Sequence, residues 1–458
     1  MEFVKTFCPV NQVQQMYRDK LTTADEAVKC IKSGDRVHYG LFSGLVDSLD
    51  IALAKRTEEL HDVLICTTNW NHPRKPAILE ADPNAEHFKY LSTHMSTLDR
   101  QMCKEGRCWF IPVQFRENTK YWAECVGDID VAMLQVGPMD RFGNFNLGPQ
   151  VAEYWGIFQS AKKIIVEVNE KFPVIHGVGN TININQVSMV VEGPSNPLPN
   201  LVAKEANEVD RKIAEHIVNL LESGSTLQLG IGGIPNSVGK MIAESDINDL
   251  SVHTEMFVDA YVDLYKAGKI TGNKNLDRGK MVFTFAMGSQ EVYDFLDDNP
   301  LGYCAPVDYV NALETIASND KMVSINSCMQ VDLFGQANSE AAGLRHISGT
   351  GGQLDYVMGA FKSKGGKSFL CTPSVRKNKD GSLTSNIMPM LPEGTIVSCP
   401  RHATHYVVTE YGAVNLKGLS TWERAEKLIS IAHPDFRDEL IRDAEKMGIW
   451  KTTSKVTW

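Results

Sequence analysis

Glu255 stands in the run Ser251-Val252-His253-Thr254-Glu255-Met256-Phe257-Val258-Asp259, a short way after Leu227-Gln228-Leu229-Gly230-Ile231-Gly232-Gly233-Ile234-Pro235-Asn236. A glutamate carboxylate can attack an activated carbonyl such as a thioester and hold the acyl group covalently. The carbonyl oxygen then gathers negative charge and needs donors already aimed at it. Glycines let main-chain N–H groups approach such an oxygen closely. Pro235 and Asn236 suit the start of a helix, whose positive end favours an anion. On spacing alone Glu255 is a candidate nucleophile, and the plain alternative is a solvated acid after a strand. His253 is either a general base or a core histidine.

Further along, Gly349-Thr350-Gly351-Gly352 is a second flexible backbone segment, followed by Lys362, Lys364, Lys367, Arg376 and Lys377. Such cations could neutralise phosphates, or simply coat a solvated loop. The glycine runs fail as nucleotide fingerprints. Pro235 replaces the third glycine of a dinucleotide turn in the first run, Leu354 does so in the second, and Phe361 stands where a phosphate loop ending Gly366-Lys367-Ser368 requires glycine. His402 and His405 have a ligand-like spacing without a supporting cysteine or carboxylate constellation, so no metal is expected. Asp140 and Glu410 fall in loops or strand ends and stay undecided.

The elements that must position these residues occur twice. Ile31-Lys32-Ser33-Gly34-Asp35-Arg36-Val37-His38-Tyr39-Gly40 resembles Leu221-Glu222-Ser223-Gly224-Ser225-Thr226-Leu227-Gln228-Leu229-Gly230. A helix precedes each: Thr23 and Glu26 form a capping-box pattern in the first, and Ile213, Ile217, Leu220 and Leu221 recur at helical spacing in the second. After each glycine turn comes a helical stretch, 48–56 or 237–244, then a strand, 63–67 or 250–254. Further strands are expected at 130–136, 164–168, 322–325 and 405–408. Alternating strands and helices imply parallel sheets with crossover helices. The proline-rich run at 192–200 is the expected linker, dividing a domain of residues 1–198 from one of 199–458. Ser420 with Glu423, and Pro434, mark the starts of two tail helices.

Composition bounds the function. With 458 residues, two domains are expected, and the net charge of −10 speaks against a nucleic-acid partner. No run of eighteen apolar residues suggests a membrane span, and no signal peptide is evident. Ten scattered cysteines, among them Cys66 and Cys328 in apolar runs, suit a reducing cytoplasm.

Taken together, the run 227–235, His253-Thr254-Glu255-Met256, the run Ser348 through Asp355 and Val407-Val408-Thr409-Glu410-Tyr411-Gly412 resemble class I coenzyme A transferases of the acetyl-CoA hydrolase/transferase family. The likeness extends from Thr23 to about Trp450. Within the family, the runs at 46–60 and 416–422 are similar to the butyryl-CoA:acetate branch, with the 4-hydroxybutyrate branch also close. The resemblance implies an α/β fold of two related open domains with the active site at their interface, and Glu255 as the nucleophile. It implies that the backbone from Gly230 through Ile231, Gly232 and Gly233 to Ile234 binds the CoA thioester region, and that Met329 (main chain), Gly352 and Lys377 contact CoA. Coenzyme A is then a substrate, no cofactor is permanently bound, and the partners are acyl-CoAs and short-chain carboxylates. A homo-oligomer is expected. Residues 40–44, Trp70 and Met95 are candidates for the acyl pocket. The rivals are an acyl-CoA hydrolase using the same glutamate, a non-catalytic CoA- or sugar-phosphate-binding protein, and a nicotinamide dehydrogenase, the last weakened by Pro235 and Leu354.

Overall fold

The computed structural model describes residues 9–201 and 205–450. These form two compact units: unit 1 holds 9–201, 282–310 and 348–351, and unit 2 holds 205–281, 311–347 and 352–450.

The main sheet of unit 1 has eight strands among the described residues: β1 (Leu21–Thr22), β2 (Arg36–Leu41), β3 (Val63–Thr68), β4 (Phe88–Ser92), β5 (Cys108–Phe110), β6 (Ile129–Val136), β7 (Ala161–Val168) and β8 (Met189–Glu192). They lie in the order β1-β8-β7-β6-β2-β3-β4-β5, every pair parallel. Parallel strands are covered on both faces and so read as continuous apolar runs, which is the character of Val131-Ala132-Met133-Leu134. The helices of this unit include α1 (Ser48–Ala54) and α2 (Thr97–Lys104). The start of α1 is fastened by the buried Glu167 of β7. Its two carboxylate oxygens accept the N–H groups of Asp47 at 3.1 Å and Leu49 at 3.0 Å, where the helix's positive end suits a negative charge.

A single boundary after residue 198 does not describe the division of the chain. Residues 282–310 return to unit 1 because their main chain bonds to it: Val151 N–H to the Thr284 carbonyl at 3.0 Å, Ala286 N–H to Pro149 at 2.7 Å and Cys304 N–H to His176 at 2.9 Å. The proline-rich run is likewise held down. Asn196 donates to Asp47 at 2.6 Å, and the Pro199 carbonyl accepts from the Tyr293 hydroxyl at 3.1 Å.

Unit 2 is built on β9 (Thr226–Leu229), β10 (Ser251–Val252), β11 (Met322–Ser327), β12 (Lys367–Cys371), β13 (Tyr406–Thr409) and β14 (Gly412–Asn415), in the order β10-β9-β11-β12-β13-β14. All pairs are parallel except the closing β13–β14 hairpin. The helices α3 (Glu208–Val218), α4 (Gly233–Glu244), α5 (Asp259–Lys266), α6 (Gln353–Lys362), α7 (Thr421–Ser430) and α8 (Pro434–Lys446) accompany it. Asn207 with Asp210 caps α3 and Ser420 with Glu423 caps α7, each reciprocally. Pro434 opens α8, where its missing N–H costs nothing. Leu428 and Ile429 of α7 and Leu440 and Ala444 of α8 join Val407 and Leu416 in one apolar cluster.

The twofold pattern of the sequence recurs in topology. In each unit the first strand after the helix (β2 or β9) pairs in parallel with the next (β3 or β10), and on its other side the order reverses toward β6 or β11. The strand expected at 250–254 stops at Val252. The Thr254 hydroxyl then donates to the Met256 carbonyl at 3.0 Å, turning the chain out of the sheet at Glu255.

Glu153 of unit 1 is fully buried. It accepts from Thr68 at 2.7 Å and Asn118 at 3.3 Å, yet burial pushes its carboxyl up from the ordinary 4.5 to about 7. Between those two values the folded chain binds the proton more tightly than the unfolded one, so this contribution to stability is full below about 4.5 and is lost as pH rises through about 7. Glu153→Gln should therefore raise the melting temperature at pH 8, with a gain of up to about 3 kcal/mol, and remove that part of the pH slope. Thermal melts of both proteins from pH 4.5 to 8 check this; an unchanged slope contradicts it.

Candidate active site

The candidate residues of unit 2 gather at the carboxyl ends of its parallel strands. Gly230 follows β9, Glu255 lies just beyond β10, Met329 beyond β11, Ser374 beyond β12, and Glu410 directly follows β13. In open parallel sheets the ligand crevice lies at these ends, where the strand order reverses, here between β9 and β11.

The glycine turn is built from the sheet outward. Gly230 N–H reaches the Ile325 carbonyl of β11 at 3.3 Å, Gly232 adopts φ +130°, a conformation that side-chain-bearing residues rarely adopt, and α4 starts at Gly233. Pro235 falls in the first turn of α4, where no N–H is needed. The buried phenol of Tyr261 on α5 accepts the Leu229 N–H at 2.7 Å and also bonds Thr254. One hydroxyl thus ties the end of β9 to the residue beside Glu255. Ile231 is exposed and Ile234 is buried.

Glu255 is half-buried, and its Oε2 accepts a hydrogen bond from Asn311 Nδ2 at 2.6 Å. Asn311 is fully buried. Gly352 is the N-cap of α6, so the carboxylate lies at that helix's positive end. A Cβ built on Gly352 would overlap both Glu255 Oε2 and Asn311 Nδ2. Only glycine leaves room for the pair. Burial, and then the Glu255 charge, push the hydroxyl of the buried Tyr356 well above its ordinary range. The ring of His253 lies 6.4 Å from that of Tyr356 and is wholly buried. His253 is thus a residue of the core.

Gly352 and Glu255 are therefore brought together, with Gly230 through Ile234 beginning at the neighbouring strand end. Met329 is half-buried and its N–H donates to the Asn338 carbonyl at 2.8 Å. Lys377 is exposed on the hairpin strand Val375–Lys377. Lys367 pairs with Glu222 at 2.7 Å and Lys362 with Glu314 at 3.4 Å, so these two hold surface acids. Glu410 accepts from the Ser374 N–H at 2.8 Å and its hydroxyl at 2.6 Å, bracing the loop after β12. His402 is exposed and His405 is buried, and among the described residues no group of histidines, cysteines and acids is arranged to hold a metal. Asp140 accepts from the Phe142 and Asn144 N–H groups and shapes its own turn. In unit 1, residues 40–44, Trp70 and Met95 lie at the ends of β2, β3 and β4, all buried. Asn311 and Tyr261 were not expected from sequence; nothing in the residues beside either one marks it, and only the fold reveals its partner.

The acetyl-CoA hydrolase/transferase N-terminal domain matches residues 7–202 and its C-terminal domain matches residues 288–444. The chain belongs to the acetyl-CoA hydrolase/transferase family. A butyryl-CoA:acetate CoA-transferase of Anaerostipes caccae is 47% identical over 445 residues, 96% of this chain and 99% of that protein. A probable butyrate:acetyl-CoA coenzyme A-transferase of Syntrophomonas wolfei is 47% identical over 442 residues, 96% of this chain and 98% of that one. Among solved structures, RipA from Yersinia pestis superposes with a TM-score of 0.86 at 38% identity, covering 96% of this chain and all of that one. Family membership carries the α/β architecture with it. Among the described residues no helix is long and apolar enough to cross a membrane.

The steric fit at Gly352 has a direct test. Gly352→Ala should force Glu255 and Asn311 apart and cost about 1–3 kcal/mol by overpacking. A crystal structure and a melting curve of the variant check it. An intact 2.6 Å bond at unchanged stability would contradict the fit.

Proposed function

We propose that this CoA-transferase moves CoA from butyryl-CoA to acetate through a glutamyl-CoA thioester on Glu255. The observation that carries the reading is the Asn311 amide held 2.6 Å from Glu255 Oε2. The other oxygen attacks the butyryl thioester carbonyl, expelling CoA thiolate and leaving a butyryl-glutamyl anhydride. The thiolate adds to the glutamyl carbonyl and butyrate departs, giving the glutamyl thioester. Acetate then attacks that carbonyl and frees the thiolate again. The thiolate attacks the acetyl carbon, releasing acetyl-CoA and restoring Glu255. Each intermediate keeps an activated acyl bond and one thioester is exchanged for another overall, so no ATP is consumed.

Whenever the glutamyl carbonyl is attacked, Oε2 becomes the oxyanion, and the Asn311 N–H already points at it. Gly352 at the start of α6 places a helix's positive end at the same position. The main chain from Gly230 to Ile234 is assigned to the CoA thioester region, Met329 and Gly352 to the path of CoA, and Lys377 to its phosphates. The acyl chain and the identity of the carboxylate rest on the two transferases 47% identical to this chain.

Initial rates with butyryl-CoA and acetate should give the parallel lines of ping-pong kinetics, with butyryl-CoA consumed slowly when acetate is omitted. Borohydride added with butyryl-CoA should reduce the thioester at Glu255, and Glu255→Ala should lose both turnover and trapping. Intersecting lines, labelling of another peptide, or loss of butyryl-CoA that ignores acetate would each reject the reading. Asn311→Ala should lower kcat by about 10²–10³-fold while binding of CoA changes little; a variant with near-normal kcat would remove the oxyanion role.

A further inference from the structure

Cys103 lies in the last turn of α2, and Cys108 is the first residue of β5. The helix ends in a Schellman turn: Gly106, at φ +71°, sends its N–H to the Cys103 carbonyl at 3.1 Å, and Arg107 N–H reaches the Met102 carbonyl at 2.9 Å. The turn folds the chain back on itself. The Cys103 thiol donates to the Cys108 carbonyl oxygen at 3.1 Å, so the two cysteines lie against each other across the turn. Cys103 is half-buried while Cys108 is 4% exposed. The neighbouring Cys108 side chain holds the Cys103 thiol below its ordinary range, and Cys103, with burial, holds that of Cys108 above it. Burial pushes the thiols of Cys66 and Cys304 upward.

We propose that Cys103 and Cys108 form a dithiol modification site that low-molecular-weight disulfides oxidise to an internal disulfide. Cys103 is the attacking group, being the more exposed and the more readily ionised of the two. Its thiolate bonds to one sulfur of the organic disulfide and expels the first thiolate. Cys108 gives up its proton and attacks the Cys103 sulfur, expelling the second. One disulfide and two cysteine thiols thus become one protein disulfide and two small thiols, with no further oxidant. The bridge ties the last turn of α2 to the edge strand of the unit 1 sheet and is independent of the chemistry assigned to Glu255.

The test uses the full-length reduced protein and oxidised glutathione, followed by alkylation, trypsin and mass spectrometry. The expected result is loss of two hydrogens, with the tryptic peptides 101–104 and 108–116 joined. Cys108→Ser should stop at a stable glutathione adduct on Cys103, and Cys103→Ser should yield no bridge. The exposed Cys125 reports that the reagent reaches the protein. Overturning results are no bridge between these peptides while Cys125 reacts, a bridge to a different cysteine, or a Cys108→Ser protein with Cys103 unmodified.

Discussion

The 2.6 Å hydrogen bond between Asn311 and Glu255 is the constraint around which unit 2 is arranged. It joins a residue just past the edge strand to one that is 56 positions later in the chain, and both partners lie against a glycine from a third segment. A carboxylate withdrawn from water loses hydration and needs donors in exchange. Here it receives a buried amide and the start of a helix. Gly352, at the start of that helix, provides the room without which the amide could not reach the carboxylate.

The parallel sheet explains how three distant segments converge. Each crossover returns the chain to the same end of the sheet, so every strand delivers its following loop to one rim. β9 brings the glycine turn, β10 brings Glu255 and β11 brings Met329. The Tyr261 hydroxyl then sets the spacing of the first two, because it holds the last N–H of β9 and Thr254 at once. That phenol is fully buried, which makes it a fixed strut within unit 2.

Local signals made the strand before Glu255, the glycine turn and the helix starts at Ser420 and Pro434 legible, because apolar runs, helix starts and turns are written in a few adjacent residues. The repeated helix–strand–turn order survived as repeated sheet topology for the same reason. Asn311 was invisible, since nothing near Val310-Asn311-Ala312 distinguishes a buried donor from a loop asparagine. The return of residues 282–310 to unit 1 was equally hidden, because it rests on main-chain bonds from Thr284 and Cys304, which carry no side-chain signature. The proline-rich run misled in the opposite direction. Its composition is that of a free linker, but Asn196 and Pro199 are held by Asp47 and Tyr293. Lys377 was singled out by family resemblance together with a basic run, and in that run Lys362 and Lys367 turn out to pair with surface acids.

If Glu255 is the nucleophile, as proposed, the choice of a neutral amide beside it has a physical logic. An arginine in that place would form a charge-assisted, two-pronged pair with the carboxylate. Such a pair stabilises the ionised resting state more than the acylated one, whose glutamyl carbonyl carries no full charge, and the difference would be added to the barrier for attack. An asparagine donor is worth about 1.5–3 kcal/mol to the carboxylate, and it keeps donating when the group becomes a neutral carbonyl and then an oxyanion. The binding that matters is the part that grows toward the transition state. Asn311 is fully buried, so its N–H is already oriented, and under the proposed mechanism little reorganisation is required as charge develops on Oε2. In the proposed mechanism, a buried, uncharged, pre-aimed donor therefore leaves the glutamate nucleophilic while still receiving the charge it creates.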